Sequence, residues 1–124
     1  MDEAMMEILR AKGAAWSCMK AEERAVLAAA TAKSLRRLIE EWKRLRADLA
    51  DNEPWMGKDG ELHQDEAIEG LDERIAEAEK EAEDEDRKKE EAEASRDKAK
   101  AEEEEHLKNA EEHERKSQEA RKRR

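Results

Sequence analysis

The chain has 124 residues, of which 50% are charged and 36% hydrophobic, with no Phe or Tyr and a formal net charge of −10. That leaves too few apolar positions for the interior of a globular enzyme with a water-excluded cleft, and no apolar run approaches the length needed to cross a bilayer. Pro, Gly and Ser are scarce while Ala, Glu, Lys, Leu and Arg abound, a bias toward long helix or coiled coil rather than disorder.

The expected fold is all-α. An N-terminal antiparallel helical hairpin or small three-helix bundle over residues 1–82 continues into a long, highly charged single or coiled-coil helix over residues 83–124. The first twenty residues predict a short helix that lies on the others and is kinked or ended near Gly13, since glycine weakens a helix interior. Met5, Ile8, Leu9, Trp16 and Met19 share one face of it. Cys18 is the only cysteine, so no intrachain disulfide can form, which fits a reducing compartment. The acidic start at Asp2 and Glu3 is unlike a signal or transit peptide, and the expectation is an intracellular, cytoplasmic protein.

A second helix is predicted over about 20–50. Leu35, Leu38, Trp42, Leu45 and Leu49 are spaced 3, 4, 3, 4, with Ile39 beside them and charged residues opposite, which makes a narrow seam suited to another helix. Residues 51–60 hold the only proline and two of the four glycines, and read as a loop. The same stretch fails as a calcium loop, because placing Gly60 at the required glycine position puts Trp55 where the first Asp must stand. Beyond the loop, Ile68, Leu71, Ile75, Ala78 and Ala82 continue a heptad seam. An antiparallel pairing follows, with Trp42 and Leu45 opposite Ile68 and Leu71.

Past Ala82 the seam degrades into Glu85, Lys89, Ala92, Arg96, Ala99, Glu103, His106 and Ala110. From residue 72 onward the only large aliphatic residues are Ile75 and Leu107. Six acid–base pairs at i,i+4 (Glu83/Arg87, Asp84/Lys88, Glu85/Lys89, Glu104/Lys108, Glu111/Arg115 and Glu112/Lys116) support the helix by about 0.2–0.5 kcal/mol each. The hairpin partner covers the first part of this helix and the remainder projects beyond the head. Charge follows the same division: residues 1–50 are nearly neutral, 51–114 strongly acidic, and 115–124 basic. In composition, residues 72–124 resemble the charged rods of cytoskeletal and assembly proteins, a likeness that transfers no function.

No catalytic, cofactor-binding or metal-binding residues are expected. His106 and His113 lie two turns apart, about 10 Å, too far for one ion, and read as solvated seam positions. Candidate partner contacts are Trp16, Trp55 and Met56 in the head, together with the tip residues Arg121, Lys122, Arg123 and Arg124. The tip complements the helix dipole, and it lacks aromatic residues for stacking on nucleic acid. The leading expectation is a non-catalytic structural or assembly subunit, a helical scaffold or spacer bound to other proteins or to itself. The alternatives are a helical regulator or inhibitor of an enzyme or molecular machine, and a nucleic-acid accessory protein working through the basic tip.

Overall fold

The structure, a computed structural model, describes residues 2–51 and 57–123, with the side chains of 57–62 outside the description. The chain is all-helical, with two long helices packed in a hairpin-like arrangement. Helix α1 spans Glu3–Asp51 and α2 spans Gly57–Lys122. Asp2 caps α1: its Oδ1 accepts the Met5 amide at 2.7 Å, so one of the unsatisfied first-turn donors gains a partner. At the far end of α2, Arg121 and Lys122 place positive charge against the negative pole of the helix.

Two sequence expectations change here. Gly13 neither kinks nor ends a helix; α1 runs through it without a break. Its position is exposed, and its cost of about 1 kcal/mol is spread over a 49-residue helix with a packed seam. The expected loop is also narrower than 51–60, because Asp51 is still helical and α2 has begun by Gly57. Trp55 and Met56 lie outside the described residues.

The chain divides into two compact units, one of Leu27–Lys88 and the other of Met1–Val26 with Lys89–Arg124. In the Leu27–Lys88 unit the core is Ile39, Ile75 and Ala78, with Trp42 packed against it. Ala28, Ala32, Leu71 and Ala82 are buried, and Leu35, Leu49 and Ile68 are half-buried. The strand of contacts is antiparallel: Arg36 pairs with Asp86, Lys43 with Glu79 at 3.5 Å, and Arg46 with Asp72. The Gln64 side-chain amide donates to the Leu49 carbonyl at 2.5 Å.

The α1 seam in this unit is shifted from the one expected. Ile39 is 5% exposed, whereas Leu38 is 41% and Leu45 50% exposed. Positions 28, 32, 35, 39, 42 and 49 face α2, and the two leucines flank that stripe. Beside Leu45, Arg46 is the half-buried residue, and its guanidinium pairs with Asp72 of α2.

The other unit reverses an expectation about the charged segment. Lys89–Arg124 groups with Met1–Val26 in place of projecting from the head. Among its described residues the buried apolar side chains are all alanine: Ala11, Ala14, Ala21 and Ala25 from α1, with Ala92, Ala99 and Ala110 from α2. Alanine buries little area, but it leaves no bulk between two backbones. Of the six expected i,i+4 ion pairs, only Glu112–Lys116 closes among the described residues, at 3.8 Å. Asp84 and Glu85 instead reach bases three residues on, Arg87 and Lys88.

Candidate docking surface

The inner seam of the Met1–Val26 segment follows positions 7, 11, 14, 18, 21 and 25. Two residues earlier on a helix is about 200° around the axis, close to the opposite face. Positions 5, 9, 12, 16, 19, 23 and 26 therefore form a second stripe, which from position 9 onward points away from α2. It reads Met5, Leu9, Lys12, Trp16, Met19, Glu23 and Val26. Its five apolar members are between 46% and 70% exposed. Isolated exposed apolar residues are ordinary on protein surfaces, but these five share one stripe, interrupted by Lys12 and Glu23, and Trp and Met are enriched where proteins meet.

The polar residues beside the band are arranged around its aromatic centre. The Lys20 ammonium sits 5.5 Å from the Trp16 ring centroid, within range of the negative ring face. Lys20 also reaches Glu23 at 3.4 Å. The Lys12 ammonium has no partner among the described residues, and both Lys12 and Glu23 are exposed.

On the inner side of the same unit, Glu7 is buried and ties the two helices together. The His106 Nδ1–H donates to its carboxylate at 2.5 Å, and Arg10 pairs with it at 2.7 Å. The hydrogen bond from His106 holds the Glu7 carboxyl below the usual carboxylate range, against the opposing effect of burial. His106, read from sequence as a solvated seam position, thus has a partner 99 residues away in the chain. His113 is exposed and lines an open groove of about 480 Å³ with Asp2, Met5, Ile8, Ser117 and Arg121. The groove mixes acid, base and apolar groups.

Of the candidate partner contacts, Trp16 lies at the middle of the apolar band, and Arg121, Lys122 and Arg123 are exposed in the basic tip. Trp55, Met56 and Arg124 fall outside the described residues. Leu9 and Val26 had not been singled out as partner contacts. Met5, Ile8, Leu9, Trp16 and Met19 were expected to share one face of a short helix lying on the others; in the structure Met5, Leu9, Trp16 and Met19 join Val26 on the outer stripe, and the inner side is taken mostly by alanine. The available signal was the 4, 3 spacing of the alanines, which competes with that of the larger residues two positions earlier.

Among the described residues no cluster of three or more His, Cys, Asp or Glu side chains is disposed to hold a metal ion, and no helix is long and apolar enough to cross a membrane. Compared with known protein families, curated proteins and solved structures, the chain matches none.

Proposed function

We propose that this chain is a non-catalytic structural or assembly subunit, a helical scaffold that docks on protein partners through the outer face of its first helix. The observation that carries this reading is the exposed band Met5, Leu9, Trp16, Met19 and Val26, set opposite a seam that the chain has already filled with its own alanines. A helix pair that needed only to be soluble would place charge on that outer face, as α2 does at Glu90, Asp97, Glu104 and Lys108.

Capture from the native source tests it, using the full chain as bait and the mass of the intact retained assembly as readout. The wild-type chain should hold a defined complex, and Trp16→Glu should lose it while retaining its helical circular dichroism. Removing residues 115–124 should leave the complex intact. A complex held equally by the Trp16 variant would overturn the reading. One lost only with the tip would favour a contact through Arg121, Lys122 and Arg123 instead.

A further inference from the structure

We infer that the outer stripe of α1 pairs with the same stripe of a second copy of this chain, antiparallel and about a two-fold axis. The inference rests on reading this face as a docking surface and names its occupant.

The argument is self-complementarity. In an isologous interface the same patch meets itself, so a residue and its two-fold mate must suit each other in both directions. The stripe reads Leu9, Lys12, Trp16, Met19, Glu23 and Val26 in one direction. Reversed, it reads Val26, Glu23, Met19, Trp16, Lys12 and Leu9. Laid against each other, Leu9 meets Val26, Trp16 meets Met19, and Lys12 meets Glu23. Every apolar position finds an apolar mate. The only two charged positions of this stretch carry opposite signs and fall on each other, once at each end of the contact.

A parallel pairing would set Lys12 on Lys12 and Glu23 on Glu23, and like charges in apposition are penalised. The centre of the antiparallel arrangement is two Trp–Met contacts, in which a thioether lies against an indole ring, with the lysine–glutamate pairs at the rim. Leu9 to Val26 spans about 26 Å of helix at 1.5 Å per residue. That is a short contact, at the small end of specific interfaces, and it suits a dissociation constant in the micromolar range.

The test is sedimentation of the full-length chain over a concentration series. The wild-type chain should be dimeric at about 100 μM, well above a micromolar constant. Trp16→Ala should remove the dimer. Lys12→Glu and Glu23→Lys should each weaken it by about tenfold or more, because each turns two attractive pairs into two repulsive ones. An equimolar mixture of those two variants should dimerise again, since each supplies the charges the other lacks. The double variant should recover a homodimer. Leu45→Lys, on a different face, should leave the dimer unchanged.

A wild-type chain that stays monomeric at about 100 μM would overturn self-pairing. So would a dimer indifferent to Lys12→Glu, or single variants whose mixture fails to recover. A monomeric wild-type chain would leave the docking reading to its own test, the capture of an assembly that depends on Trp16.

Discussion

Adjacent residues in α1 offer a sharp test of the seam. Ile39 is 5% exposed and packs with Ile75, Ala78 and Trp42, while Leu38 is 41% exposed. Truncating either to alanine removes three carbons, worth about 0.8 kcal/mol each when fully buried. For Ile39 that is about 2.4 kcal/mol, and the space left against Ile75 adds to it. The better helix propensity of alanine returns about 0.4 kcal/mol, which leaves a net cost of about 2–3 kcal/mol. For Leu38 little more than half of the transfer applies and no cavity forms, so the cost is about 1 kcal/mol. At about 4 °C per kcal/mol for a chain of this size, Ile39→Ala should lower the melting temperature by about 8–12 °C and Leu38→Ala by about 4 °C. Thermal melts followed by circular dichroism at 222 nm measure both. Equal losses, or a larger loss for Leu38→Ala, would refute the seam and restore the 35, 38, 42, 45, 49 spacing.

Further outcomes follow from single positions. Gly13→Ala should stabilise the chain by about 0.5–1 kcal/mol, because a Cβ there meets no atom within 4 Å and the helix gains a stronger former; a lower melting temperature would mean that Gly13 is not in the interior of a folded helix. Gly70→Ala should act in the same direction in the other unit, where a Cβ is equally free. The Glu7 carboxyl is held below its ordinary value of 4.5, so its stabilisation is present above that pH and is lost as the pH falls through the lowered value. The melting-temperature gap between wild type and Glu7→Gln should therefore be open at neutral pH and close as the pH drops below 4.5. A gap that stays constant through the acid range would show that the His106 contact does not depend on the ionised carboxylate.

The helical class and the antiparallel disposition were legible because residue choice alone favours helix over most of the chain and Pro54 marks the interruption. In α2 the heptad through Leu71, Ile75, Ala78 and Ala82 was legible; past Ala82 the same register carries on through the buried Ala92, Ala99 and Ala110, where the charged residues between them read as a degraded, projecting stretch. In α1 two apolar stripes coexist, and size misdirects. Leu38 and Leu45 stand one residue before Ile39 and Arg46, so a spacing built on leucine keeps positions 35, 42 and 49 but at 38 and 45 picks a neighbour about 100° round the helix from the more buried residue. In the N-terminal stretch the bulk of Trp16 and Met19 draws the eye from Ala14 and Ala21, which hold the inner seam. The partnership of Glu7 with His106 was illegible, since 99 residues separate them and both belong to types that are usually solvated. It follows from the register of the two helices, which the N-terminal segment does not disclose alone.

The distribution of bulk in the Met1–Val26 unit has a thermodynamic consequence. Its inner seam buries alanines, each contributing about one methyl, near 0.8 kcal/mol. Against this stands the loss of backbone freedom, about 1–2 kcal/mol for every residue fixed. Helical hydrogen bonds and the Glu7–His106 tie offset part of that loss, but the larger apolar side chains of the segment, Leu9, Trp16, Met19 and Val26, contribute little while they face water. Covering them would bring in the larger share of the segment's apolar stabilisation. Any partner that binds only the helical form raises its stability by mass action, by about 2.7 kcal/mol at one hundred times the dissociation constant. Order in this segment and occupancy of its outer face are therefore linked quantities: amide-exchange protection of residues 5–26 should rise with chain concentration if a second copy is the occupant, whereas Leu27–Lys88, whose core holds Ile39, Ile75 and Trp42, draws its stability from within.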